Sequence, residues 1–172
     1  MILKPAVVDA MNKQIQSEFA ASAQYIAIAV YFDDMSLPEL ANFFFRQSEE
    51  EREHAMKFVH FLLETGEKPI IPGLPDMVNE FSSPADAVQF ALDQEIEVTN
   101  QINNIMAIAK KDDDFSSQTF LQWFVTEQVE EVDSMSTLLQ TINHSGGALL
   151  LVEDFVRRNM ANEESEESDE AD

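Results

Sequence analysis

Four times along this chain of 172 residues an apolar stripe recurs at spacings of three and four, and each time a glutamate interrupts it near its middle. That spacing marks one face of an α-helix, and no stretch shows the alternation of a half-buried strand. Helix A is expected from Pro5, a residue suited to a first turn, to Phe32; its stripe reads Val8, Met11, Ile15, Glu18, Ser22, Tyr25 and Ala29. Helix B is expected to start at a Ser36 cap, with Pro38 in its first turn and Glu39 completing a capping box, and to end near Glu64. Its stripe reads Leu40, Phe44, Gln47, Glu51, His54, Phe58 and Phe61. Ser83, Pro84 and Asp86 repeat the cap signature for helix C, which runs to Lys110 with Val88, Ala91, Leu92, Glu95, Val98, Ile102 and Ile105 in line. A turn from Asp112 to Ser117 precedes helix D, which ends near Asn143 and carries Phe120, Phe124, Glu127, Glu131, Met135, Leu138 and Ile142. A short fifth helix, Ala148 to Met160, is expected after the glycines at 146 and 147.

The connection between B and C decides the topology. It runs from Gly66 to Ser82 and holds Pro69, Pro72, Gly73 and Pro75. Fully extended, such a segment reaches about 55 Å, whereas a helix of this size is about 42 Å long. The connection can therefore travel the length of a bundle. A and B then pair antiparallel, C and D do the same, and B runs parallel to C. The expected fold class is all-α: a four-helix bundle with one long B–C crossover and a short C-terminal fifth helix, one domain over residues 1–162.

A lone buried carboxylate is costly and normally avoided. One intruder has a bland reading, a glutamate reaching to the edge of its helix. Four, one per helix, do not. Their heights also match. Glu18 lies 16 residues before the turn at Asp34 and Glu51 lies 17 after it; Glu95 lies 18 before Asp113 and Glu131 lies 18 after it. Antiparallel hairpins bring each pair level, and the crossover places both pairs near mid-bundle. His54 follows Glu51 by three residues and shares its face. Mutual repulsion among these groups calls for cations, and hard oxygens plus one imidazole suit iron or manganese. Glutamates from separate helices with a Glu-x-x-His form the ligand pattern of di-iron carboxylate bundles.

Composition closes other routes. The chain has no cysteine, which excludes disulfides, thiolate metal sites, iron–sulfur clusters and thiol catalysis. With 33 acids against 10 bases and a net charge of -23, nucleic acid is not an expected partner. No membrane span and no signal peptide are read in the sequence, so a cytoplasmic location is expected. Residues 163–172 hold seven acids and no base and read as a solvated, disordered tail.

The segments Ser48-Glu49-Glu50-Glu51-Arg52-Glu53-His54 and Phe120-Leu121-Gln122-Trp123-Phe124-Val125-Thr126-Glu127-Gln128-Val129-Glu130-Glu131 are specific in residues and spacing. On these motifs, and from Leu3-Lys4-Pro5 to the fifth helix, the chain resembles the bacterial non-haem ferritins. The resemblance implies iron storage through a ferroxidase centre that oxidises Fe(II) with O2 or H2O2. Glu18, Glu51 and His54 would bind the first iron, with Glu51 bridging. Glu51, Glu95 and Glu131 would bind the second, with Gln128 close by. A third iron site would use Glu50, Glu127, Glu130 and Glu131, and Tyr25 stands beside the centre. The resemblance further implies a homo-oligomeric cage of twenty-four subunits around a ferric mineral. Helix D carries Gln128-x-x-Glu131 where bacterioferritins have a second Glu-x-x-His, and Arg52 stands at their haem-ligating methionine, so no haem is expected.

Other residues have plainer readings beside the functional ones. Tyr25 on a core stripe serves packing or redox chemistry, and Trp123 anchors its helix or takes part in redox. Glu127 and Glu130 form either a solvated face or part of a site. Asp112, Asp113 and Asp114 read as a turn and cap, with guidance of Fe(II) toward a shell channel as the functional alternative. His60 and His144 fall outside the converging set. A di-iron oxygenase or peroxidase, a non-catalytic metal buffer, and a salt-adapted or partner-binding acidic surface are the competing functions.

Overall fold

The computed structural model describes residues 3–161, so the expected acidic tail lies outside the described residues. Five helices follow in order: α1 (Pro5–Asp34), α2 (Pro38–Glu64), α3 (Pro84–Lys111), α4 (Phe115–His144) and α5 (Leu149–Asn159). No strand occurs among the described residues. Three-residue turns join α1 to α2 and α3 to α4, which makes each pair an antiparallel hairpin.

Two apolar clusters fill the bundle, one at each end. The first packs Ile28 and Phe32 of α1, Leu40 and Phe44 of α2, Val88 of α3, Leu138 and Ile142 of α4, and Val152 and Val156 of α5. The second packs Val7 and Met11 of α1, Phe58 and Leu62 of α2, Ile102 and Ile105 of α3, and Leu121 and Phe124 of α4. The start of α2 therefore lies at the same end as the start of α3, so the two run parallel, as the crossover length required. The crossover itself is laced to α1. Asn12 Oδ1 accepts from Ile70 N at 2.7 Å, Gln16 Nε2 donates to Gly73 O at 2.9 Å, and Gln24 both donates to Val78 O and accepts from Val78 N, at 2.7 and 2.9 Å. Its ladder of side-chain bonds climbs α1 in chain order, so backbone groups of a segment without secondary structure find partners.

Several sequence expectations shift at the helix ends. Ser36 does not cap α2. It takes a left-handed φ of 59° in the turn, and Leu37 occupies the cap position with no side-chain cap bond. The work falls to α5: Glu153 accepts from Glu39 N at 2.8 Å and Leu40 N at 2.9 Å. An anion at a helix N-terminus meets both orphan donors and the positive end of the helix dipole. In return Arg46 of α2 donates to Met160 O at 3.0 Å beyond the end of α5. Helix α4 starts at Phe115, inside the expected turn, because Asp114 is its cap; Asp114 accepts from Ser117 N at 3.0 Å and Ser117 Oγ at 2.7 Å. Asp114 is thus committed to the helix and buried. α1 runs two residues past Phe32, to Asp34. Val7 rather than Val8, and Leu121 and Gln128 rather than Phe120 and Glu127, occupy the most buried line. Neighbouring positions both satisfy a 3.6-residue period, and only packing chooses between them.

Glu153→Ala leaves two backbone donors at the head of α2 without an acceptor and should cost about 1–2 kcal/mol. Guanidinium unfolding checks this: the midpoint should fall for Glu153→Ala and fall less for Glu153→Gln, which keeps one acceptor oxygen.

Candidate metal centre

Between the two apolar clusters lies a polar layer. Glu18 from α1, Glu51 and His54 from α2, Glu95 from α3, and Gln128 and Glu131 from α4 are all buried there. Every helix of the bundle contributes one carboxylate because each hairpin was built with near-equal arms about its turn.

The layer's neighbours treat its carboxylates unequally. Glu95 has both oxygens held: Tyr25 Oη donates to Oε1 and Gln128 Nε2 to Oε2, the latter at 3.1 Å. Its backbone carbonyl also accepts from Thr99 Oγ1 at 2.8 Å and from Gln128 Nε2 at 3.3 Å. Glu18 has one oxygen held, Oε1, by Gln14 Nε2 at 2.8 Å, while its Oε2 has no hydrogen-bond partner. Glu51 has neither oxygen hydrogen-bonded. Its Oε2 lies 3.3 Å from His54 Nδ1, which is itself without a properly aligned partner. Ligand atoms of Glu18, Glu51 and His54 lie within 4.8 Å of one another. Buried polar atoms are rarely left in this condition, and their occurrence on three side chains whose ligand atoms lie this close marks a place for a cation.

Electrostatics agree. Burial, followed by the charges of Glu95, Glu18 and Glu131, pushes the Glu51 carboxyl well above its ordinary range. Burial also raises Glu18, opposed by the close approach of the Glu51 carboxyl and by the bond from Gln14. Without a cation, both carboxyls are thus biased toward their protonated forms. Burial lifts Glu95 to about 7, although the Tyr25 hydroxyl opposes the rise. Burial, then Lys57, lowers His54 to about 4, so its imidazole is neutral and free to ligate. Burial and the Glu95 and Glu51 charges raise the Tyr25 phenol well above its usual value, which keeps it a donor.

A second convergence involves His54 with Glu127 and Glu131, whose ligand atoms also lie within 4.8 Å of one another. Glu50 is half-buried and accepts from Gln47 Nε2 at 2.9 Å, and Glu130 is exposed. His60 and His144 are exposed and join neither group. The sequence reading passed over Gln14 and Thr99, although a polar residue four before Glu18 on a buried helix face was a usable signal. Trp123 packs edge-on to the His54 ring at 5.3 Å between centroids, with Lys57 Nζ 4.1 Å from the indole centroid.

Comparison with known proteins agrees with the all-helical fold. Residues 8–145 match the family described as a ferritin-like domain. The chain belongs to the ferritin family. It is 48% identical to the ferritin BfrB of Mycolicibacterium smegmatis across 88% of this chain and 83% of that protein. It is 36% identical to a bacterial non-heme ferritin of Staphylococcus saprophyticus, covering 84% of this chain and 87% of the relative. Among solved structures, the open pore ferritin of the archaeon Archaeoglobus fulgidus superposes with a TM-score of 0.87 at 31% identity, covering 90% of this chain and 97% of that one. Iron storage is the function that family membership carries, and the Glu18, Glu51 and His54 cluster offers iron a fitting set of donors.

Raised carboxylate values mean that the folded chain holds protons which the unfolded chain has released. Between the ordinary carboxylate value of 4.5 and about 7, the buried carboxyls should therefore make the metal-free protein less stable as pH rises, outweighing the single opposite contribution of His54 below 6.5. Glu51→Gln removes the most crowded charge. Thermal unfolding of the metal-free variant should begin higher at neutral pH and depend less steeply on pH than the parent; equal slopes would assign the dependence to surface acids.

Proposed function

We propose that this ferritin is a ferroxidase whose substrate is Fe(II), bound first by Glu18, Glu51 and His54. The observation that carries the reading is the convergence of Glu18, Glu51 and His54, in which Glu18 Oε2, both Glu51 oxygens and His54 Nδ1 are buried without hydrogen-bond partners. Glu51, with both oxygens open, is the group able to bridge to a second ion. That ion would take Glu95 and Glu131, and Glu95 must first be released by Tyr25 or Gln128. Two Fe(II) give one electron each to O2, which with two protons leaves as H2O2, or to H2O2, which with two protons leaves as two waters. Carboxylates favour Fe(III) over Fe(II) because their negative charge matters more to the more highly charged ion, so the ligand set lowers the potential against which the oxidant works. A bound cation would take the place of the protons that the buried carboxyls hold in the metal-free layer and would relieve the repulsion between them.

A third iron at Glu50, Glu127, Glu130 and Glu131 remains part of the proposal, with the proximity of Glu127 and Glu131 to His54 in its support. We further propose a cage of twenty-four such subunits in the cytoplasm, storing the ferric product as mineral. No helix among the described residues is long and apolar enough to cross a membrane. An oxygenase would need room for an organic substrate at the centre. The cavity of about 420 Å³ on the outer face of α1 and α2, lined by Ile26, Phe45, Arg46 and others, includes none of the carboxylate ligands.

Stopped-flow absorbance after addition of two Fe(II) per subunit to aerobic metal-free protein tests the activity, with light scattering on the same sample for size. A fast phase in a large closed assembly is expected. Glu18→Ala and His54→Ala should each lose the fast phase by a factor on the order of ten or more and still assemble. Oxidation no faster than in buffer would turn the reading to a non-catalytic metal buffer, and unchanged rates in both variants would move the centre elsewhere.

A further inference from the structure

We propose that Gln14 makes Glu18 a one-oxygen ligand of the metal held with Glu51 and His54, an inference that rests on the metal-centre reading above. Gln14 lies one helical turn before Glu18 on the same face of α1 and is 2% exposed. Its amide donates to Glu18 Oε1 at 2.8 Å, and this bond is buried at both ends. The bond divides the two oxygens of Glu18. Oε1 is bonded along the helix to Gln14, which leaves Oε2, without a partner, as the oxygen free to ligate beside Glu51 and His54.

Chelation through both oxygens would draw Oε1 from the amide and strand a buried donor, which a protein interior resists. A glutamine could be buried on α1 for reasons unrelated to Glu18, and Gln24 is such a case. It is also buried on this helix, but its amide is spent on the backbone of Val78 in the crossover. Gln14 is therefore a positioning residue. It restrains one ligand from closing around the ion and so keeps a coordination position open, which suits a substrate ion that must be replaced after oxidation. Three carboxylates of the layer are then graded by their donors: Glu51 offers two oxygens, Glu18 one, and Glu95 none until a bond is released.

Co(II) provides a readout independent of turnover, because its visible absorption weakens as its coordination number rises. One Co(II) per subunit would be added to the full chain, to Gln14→Met and to Gln24→Met. Gln24→Met should reproduce the parent spectrum, whereas Gln14→Met should lose about half of the absorbance per bound Co(II) as the second oxygen of Glu18 joins the ion. Equal absorbance per bound ion in Gln14→Met and the parent overturns the inference while leaving the metal centre standing. A second measurement needs no Gln14 variant. In the infrared difference spectrum of the parent with and without Co(II), the carboxylate band pair missing from Glu18→Gln should show the wide separation of a one-oxygen ligand; the narrow separation of a chelate overturns the inference. No uptake of Co(II) by the parent overturns the metal-centre reading and this inference with it.

Discussion

The burial of like charges at mid-bundle is the constraint on which the other features depend. A layer of four glutamates, one from each long helix, works against folding, since each buried charge loses hydration and repels its neighbours. The chain meets this cost by confining the charges to one layer between two apolar clusters that are each made by all four helices. Aromatic packing is dense on both sides, with Phe44 against both Tyr25 and Phe32 on one and Phe58, Phe120 and Phe124 in mutual contact on the other. The helices are thus held from both ends, and the layer between them cannot relax by spreading apart. A site that is strained when protons are removed and relieved when a dication arrives has its binding energy arranged in advance of its ligand.

The polar neighbours refine that arrangement. Tyr25, Gln128 and Gln14 are donors with no charge of their own, and each is placed on a carboxylate oxygen. Where they stand, an oxygen is quieted; where they are missing, at Glu51 and at one oxygen of Glu18, the acceptor is left for the ion. A charged donor at these positions would have satisfied the layer permanently and competed with metal. Lys57 lies against the face of Trp123, and its charge adds to burial in lowering the His54 pKa. The unequal partnering is what allows one layer to contain a ready site and a latent one.

Much of this was legible in the sequence because the relevant quantities are one-dimensional. Helical period, the distance of each glutamate from its turn, and the reach of residues 66–82 are counts along the chain, and together they give the bundle, its topology and the level of the carboxylates. What escaped was decided in three dimensions. Ser36 and Glu39 had the spacing of a capping box, yet α2 takes its cap from Glu153, more than a hundred residues away. Asp114 sat in a run of three aspartates that looked equivalent, and only packing shows that it is spent on Ser117. Gln14 escaped because a stripe is read for its apolar members and its charged intruders; its spacing of four from Glu18 was a signal, but only the structure shows that its amide is spent on that carboxylate.

The matched arms of the hairpins also explain which parts of the chain are free to vary. Adding one residue to α1 between Glu18 and the turn would raise its carboxylate by about 1.5 Å and rotate it by about 100° out of the layer. The carboxylates therefore fix helix length and phase together, and no side-chain rotation can restore the cluster. The turns lie outside this restriction, as do the ends of the helices, where boundaries differ from sequence expectation by a residue or two with no effect on the layer. The crossover is restricted only in span, and it is tied by Asn12, Gln16 and Gln24 to the outer side of α1. Those ties hold α1 along more than three turns of the helix that supplies Glu18, so the long connection also fixes the height of one wall of the metal centre.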